Sequence, residues 1–204
     1  MGGAGLRQAQ KAATRERVLA AARELFATQG YEGATIRQIA TLAGVSVGSV
    51  FTTFASKGQI LSEVMLARLD GMYAELDQLV PQWDGSTVER LRAMFAFYVE
   101  FELRHVQLFL AHISAAFDWT LPTDARPFGR NPRLTGLIED CLASGVARGD
   151  VDPAADLPAL VDLLMAAFAW TCRLAAWENA GAQELIAVMD QQIGLIAKGF
   201  NPRS

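Results

Sequence analysis

Thr35-Ile36-Arg37-Gln38-Ile39-Ala40-Thr41-Leu42-Ala43-Gly44-Val45-Ser46-Val47-Gly48-Ser49-Val50-Phe51-Thr52-Thr53-Phe54 is the stretch that decides the fold. Thr35 followed by Gln38 has the spacing of a capping box, so a short helix opens there. Its apolar positions, Ile36, Ile39, Ala40 and Ala43, follow the helical period. Gly44 lets the chain turn sharply, Val45 packs into the angle, and Ser46 caps a second short helix. Two short helices around such a turn have helix-turn-helix spacing. The second helix buries Val50 with Phe51 or Phe54 and leaves Val47, Gly48 and Ser49 facing outward. A glycine inside a helix costs about 0.5–1 kcal/mol relative to alanine. At an exposed first turn, Gly48 is better explained by the close approach of a partner than by stability.

Working outward, Val18, Leu19, Ala22, Leu25 and Phe26 form the apolar face of a preceding helix, with Thr14 as N-cap and Gly30 as its stop. Downstream, Ser56 and Gln59 repeat the capping-box spacing and launch a long helix through Leu61, Met65 and Met72 to Pro81. Further helices are predicted over 87–103, 104–118, 133–148, 156–179 and 182–199, with the longest loop at 119–132. No run alternates with period two between turn residues, so strands are not expected. The fold class is all-α, about nine helices, with a helix-turn-helix head over 1–60 and a helical body over 61–204.

The chain has 204 residues, of which 51% are hydrophobic and 20% charged. Half the residues being apolar excludes general disorder. No uninterrupted apolar run reaches the ~18 residues of a membrane span, and the first residues lack the apolar core of a signal peptide. Two cysteines, Cys141 and Cys172, make no disulfide framework and no CxxC pair. These features point to a soluble cytoplasmic protein, with no membrane association. The net charge of −4 is unevenly spread: residues 1–60 hold seven Lys/Arg against three acids, leaving eleven against nineteen in the rest. A head of +4 on a body of −8 suits an anion-binding surface on a solvated body.

From Thr14-Arg15-Glu16-Arg17 to Leu25-Phe26, then Gly30-Tyr31, Thr35, Ile39-Ala40, Ala43-Gly44-Val45-Ser46, Gly48-Ser49-Val50, Phe54 and Ser56-Lys57, the chain resembles the tetracycline-repressor (TetR-like) family. The resemblance is close over about 15–60. Beyond residue 80 only the architecture is similar. It implies a repressor that binds a palindromic double-stranded operator and is released by a small, mostly apolar effector. It also implies DNA-binding residues at Thr35, Arg37, Ser46, Val47, Gly48, Ser49, Phe51, Thr52, Thr53 and Lys57. Lys57, beside a helix N-terminus, is suited to a phosphate. The chain departs from the family at Val47, where a polar or basic residue is usual. It departs again at Phe51, Thr52 and Thr53, where Tyr, His and Tyr are common. Phe51 lacks a hydroxyl for phosphate, and Val47 offers contact to a thymine methyl rather than a hydrogen bond.

Other readings compete. Gly44-Val45-Ser46-Val47-Gly48 fits the G-x-S-x-G nucleophile elbow of α/β-hydrolases, but that motif needs a strand before the serine. Here the preceding residues are helical, so Ser46 reads as a cap and no enzyme activity is expected. His105 and His112, seven apart, lie about 10 Å apart along a helix and cannot share a metal ion unaided. No metal site or cofactor is expected. The remaining alternative is a helical ligand-binding dimer with weak or no DNA binding.

In the body, the helix at 156–179 is apolar nearly all round, and a helix without a polar face needs cover on every side. A second copy of the chain is the natural cover, giving a homodimer through Leu160, Leu164, Phe168, Leu185, Met189, Ile193 and Ile196. Aromatic residues interspersed with a few polar groups suggest an effector pocket. Its expected lining is Phe95, Tyr98, Phe101, His105, Phe109, His112, Trp119, Phe168, Trp170, Thr171 and Arg173.

Overall fold

A computed structural model describes residues 3–110, 132–178 and 180–200 of the chain. Every regular element among them is a helix: α1 (Gly3–Gly33), α2 (Ile36–Leu42), α3 (Val47–Thr53), α4 (Lys57–Leu79), a 3-10 turn at Val80–Gln82, and α5 (Thr87–Leu103). Residues 106–110 are helical (α6), and after them come α7 (Pro132–Arg148), α8 (Leu157–Trp177) and α9 (Ala182–Phe200). The all-α expectation is met. The loop expected at 119–132 lies almost wholly outside the described residues.

The caps read from sequence are present. Thr35 Oγ1 accepts from the Gln38 amide while Gln38 Oε1 accepts from the Thr35 amide, closing the box at α2. Ser46 caps α3 by accepting from the Ser49 amide at 3.1 Å. The structure adds a box of the same kind at α5, between Ser86 and Glu89. Gly44 has φ +63°, the left-handed conformation its turn needs. One boundary differs. α1 begins at Gly3, so Thr14 is an interior residue and not the N-cap. Gln8-Ala9-Gln10-Lys11-Ala12-Ala13 are strong helix formers and carry the helix past the cap candidate. At the other end Gly30, with φ +73° and ψ 168°, breaks the helical path where the sequence placed the stop.

The chain divides into two compact units. The first runs to Ala74 and includes the described part of His105–Ser114, so the boundary expected near residue 60 falls inside α4. In it α1, α2 and α3 pack on one another around Val18, Ala22, Phe26, Ile39, Val50, Phe54 and Ile60, all buried. The second unit, Glu75–Arg104 with the described part of Ala115–Ser204, packs α5 against α7 and α9, and α8 against α7 and α9. Leu91, Phe95, Tyr98, Ile138, Leu142, Leu164, Phe168, Leu185 and Ile193 fill its interior.

A close approach fixes the start of α5 in this second unit. A Cβ on Gly145 would lie 2.1 Å from Thr87 Oγ1 and 2.6 Å from a Val151 methyl, so only glycine fits there. Asp150 Oδ2 accepts from the Thr87 amide at 2.6 Å, satisfying an N–H that the first turn of α5 cannot. Burial disfavours the Asp150 carboxylate, but the hydrogen bonds from Thr87 and the nearby Arg148 guanidinium outweigh it. The carboxyl therefore titrates below its usual range. A depressed carboxyl stabilises the fold above its unfolded pKa and stops doing so as pH falls through the folded one. Asp150→Ala is expected to lower stability by about 1–2 kcal/mol at neutral pH. In thermal unfolding followed by circular dichroism, the gap to wild type should be full above about pH 4 and close below it.

Candidate nucleic-acid interface

The candidate interface is built from α2, α3 and the exposed side of α1. On α3, Val47, Gly48, Phe51 and Thr52 are exposed, whereas Val50 and Phe54 turn into the core. Of the two candidates for burial, Phe51 is the one left outside, at 55% of its surface. A Cβ on Gly48 would meet only Ser46 Oγ at 3.8 Å, ordinary contact. The fold itself therefore does not demand glycine there, which agrees with a requirement imposed from outside.

The hydroxyl groups of this face are engaged locally. Thr52 and Thr53 each donate to the Ser49 carbonyl at 2.9 Å, and Ser46 and Ser49 share a hydrogen bond at 2.8 Å. Thr35 donates to Gln38 Oε1 at 2.7 Å. Arg37 extends from α2 into solvent and takes part in no ion pair among the described residues. Arg17 does the same on α1, with Nη1 4.0 Å from where a Cβ on Gly44 would stand. Arg17 stands in the stretch that carries the family resemblance but was not among the expected DNA-binding residues. Its neighbour Arg15, though partly exposed, is engaged within the unit, paired with Glu63 and lying over the Phe54 ring at 5.3 Å.

Lys57 goes elsewhere than expected. Its ammonium donates to the carbonyls of Tyr31 at 2.8 Å and Ala34 at 3.1 Å and lies 4.1 Å from the Tyr31 ring centroid. These carbonyls lie beyond the break at Gly30, where no helical amide reaches them, and a cation is the natural partner there. Lys57 thus ties the end of α1 to the start of α4 instead of reaching outward for a phosphate. Burial, with Glu32 nearby, pushes the Tyr31 hydroxyl above its usual pKa, so the ring under the ammonium stays neutral.

The residues expected to line one pocket are distributed. Phe95, Tyr98 and Phe168 form one aromatic cluster inside the second unit, with centroids 5.6–5.9 Å apart. Phe101 is buried beside Phe97, and the Thr171 hydroxyl lies 3.0 Å from Gln192 Oε1. Trp170 and Arg173 face outward on α8 and so leave the expected lining; the Arg173 guanidinium covers the Trp177 ring at 4.6 Å. His105 is exposed and, with buried Phe109, belongs to the first unit; His112 and Trp119 lie outside the described residues.

The expected dimer residues are likewise placed inside. Leu164, Phe168, Leu185, Met189 and Ile193 are buried within the subunit, and Leu160 and Ile196 are half-buried. The apolar residues left outside are Leu163, Trp170 and Trp177, at seven-residue spacing along α8, and Leu195 on α9. By length and composition Leu157–Ala175 could cross a membrane, and a third of it is buried. Burial pushes the Cys141 thiol up to about 11 and the Cys172 thiol well above its usual value, the latter helped by Glu102. Neither is a thiolate at neutral pH.

A capped pair of short helices with an outward second helix defines a helix-turn-helix regulator. The profile of bacterial regulatory proteins of the tetR family matches residues 18–64. The transcriptional repressor KstR2 of Mycolicibacterium smegmatis is 32% identical over 149 residues, 72% of each chain. The regulator HbdR of Aromatoleum sp. is 28% identical over 191 residues, 91% of this chain and 80% of that one. Among solved structures, the Thermus thermophilus repressor FadR in complex with lauroyl-CoA matches with a TM-score of 0.70 at 25% identity, covering 93% of this chain and 96% of that one. The chain belongs to the TetR family and is a DNA-binding transcriptional regulator.

Removal of the Lys57 ammonium would leave two carbonyls without their donor. Lys57→Met is expected to destabilise the first unit by about 1.5–3 kcal/mol, the range for a lost charged hydrogen bond. Urea dependence of amide hydrogen exchange in α1–α3 checks this; an unchanged midpoint there would return Lys57 to the surface role read from sequence.

Proposed function

We propose that the protein is a cytoplasmic, homodimeric repressor that binds a palindromic operator through α2 and α3 and is released by a small, mostly apolar effector bound in the helical body. The observation that carries the DNA reading is the outward face of α3, with a glycine at position 48 that the fold does not require. Arg37 and Arg17, exposed beside it, suit the phosphate backbone, where contacts position a protein without specifying sequence. The apolar aromatic interior of the second unit suits an effector of low polarity. Lauroyl-CoA, the ligand of the FadR neighbour, carries an apolar acyl chain of this kind on a polyanionic head and is the first probe, with free lauric acid beside it to separate the two parts. An effector weakens DNA binding only by preferring the conformation that binds DNA poorly.

Anisotropy of a labelled duplex from upstream of the gene, titrated with full-length protein, tests the reading. Specific binding in the nanomolar range is expected, and a saturating effector should weaken it by 5- to 150-fold, the usual span of coupling. A protein that binds effector but no duplex would favour a ligand-binding dimer that does not read DNA.

The dimer face is read from the stripe of Leu163, Trp170 and Trp177 on α8 together with Leu195 on α9, in place of the buried residues named from sequence. Light scattering at micromolar concentration should give twice 22.1 kDa. Trp170→Glu combined with Leu163→Glu should give a folded monomer, because a charge buried in that contact would lack a partner. A wild-type monomer, or a double variant that stays dimeric, would contradict it.

A further inference from the structure

α3 has the sequence Val47-Gly48-Ser49-Val50-Phe51-Thr52-Thr53 and carries no Arg, Lys, Asn or Gln. Those are the side chains that make bidentate hydrogen bonds to guanine or adenine edges. The hydroxyls of Thr52 and Thr53 already donate to the Ser49 carbonyl, and those of Ser46 and Ser49 bond to each other. Outward-pointing donors are therefore scarce, and what α3 presents instead is apolar. Val47 and Phe51 are one helical turn apart, on one side of α3, and both are exposed. A Cβ at Gly48 beside them would meet only Ser46 Oγ at 3.8 Å, so the fold has room for a side chain there and its absence lets a partner approach the backbone. The helices packed on α3 carry exposed cations, Arg37 on α2 and Arg17 on α1, the latter with Nη1 4.0 Å from where a Cβ on Gly44 would stand, which makes this side of the unit suitable for a polyanion.

The major-groove group that an apolar side chain recognises is the C5-methyl of thymine. We propose that α3 reads its operator chiefly through thymine methyls, taken up by Val47 and Phe51 while Gly48 lets the helix sit deep in the groove. The inference rests on the DNA-binding reading above and specifies what that interface recognises. Arg37 and Arg17 then hold the phosphates, and sequence preference comes from apolar contact.

Full-length protein is used to select from a pool of random duplexes, and an enriched site is synthesised with thymine and with deoxyuridine, which lacks only the methyl. The expected result is thymine at fixed positions in both half-sites. Replacement there by uracil should weaken binding about fourfold for each methyl, the factor that burial of one CH2-sized group is worth. Uracil outside those positions should have no effect. Val47→Ala and Phe51→Ala should each reduce the uracil penalty while leaving the far-UV spectrum unchanged. Enriched half-sites without conserved thymine, or a uracil site bound as tightly as the thymine site, would overturn the inference while leaving DNA binding intact. A pool in which no duplex is enriched would overturn the DNA-binding reading and this one with it.

Discussion

The left-handed turn at Gly44 is the constraint on which the reading head depends. With φ at +63°, the chain leaves α2 at an angle that no L side chain adopts cheaply, and Val45 donates its amide back to the Ala40 carbonyl at 3.0 Å. The caps at Thr35 and Ser46 then start two helices that are otherwise too short to hold themselves. Everything outward on α3 follows from that angle, because burial of Val50 and Phe54 sets the rotation of the helix and leaves Val47, Gly48 and Phe51 on the other side. Charged groups reinforce the arrangement from below: Arg15 with Glu63 and Phe54, and Lys57 on the carbonyls after Gly30. These cations are structural, which leaves Arg17 and Arg37 as the outward positive charge beside α3.

The second unit is organised by a different principle. Its core is aromatic and aliphatic, and a single glycine, Gly145, sets how closely α7 comes to the start of α5. Its outer side keeps large apolar groups: Trp170 at 52% exposure and Trp177 at 61%, their rings 5.9 Å apart edge to face. Exposed tryptophans seven residues apart on one helix are a heavy load of apolar surface for a lone subunit to leave in water.

What was legible in the sequence was short-range. The caps at Thr35 and Ser46, the turn at Gly44 and the stop at Gly30 each depend on residues within four positions, so their spacing is their geometry. Three things were not legible. The start of α1 was set by the propensity of a run that carries no apolar period, and the N-cap candidate Thr14 lay inside it. The direction of Lys57 depended on carbonyls 23 and 26 residues away, which no local pattern reports. The outer stripe of α8 was hidden by its own composition: where both sides of a helix are apolar, the sequence does not say whether Leu163 or Leu164 faces the core.

Amide hydrogen exchange of the full-length protein, with and without a bound duplex from upstream of its gene, tests the central claim most directly. The account predicts slowed exchange concentrated in residues 46–53 and the adjoining part of α2, with the buried amides of the second unit unchanged. A stable complex in which residues 46–53 exchange as fast as in the free protein would contradict it.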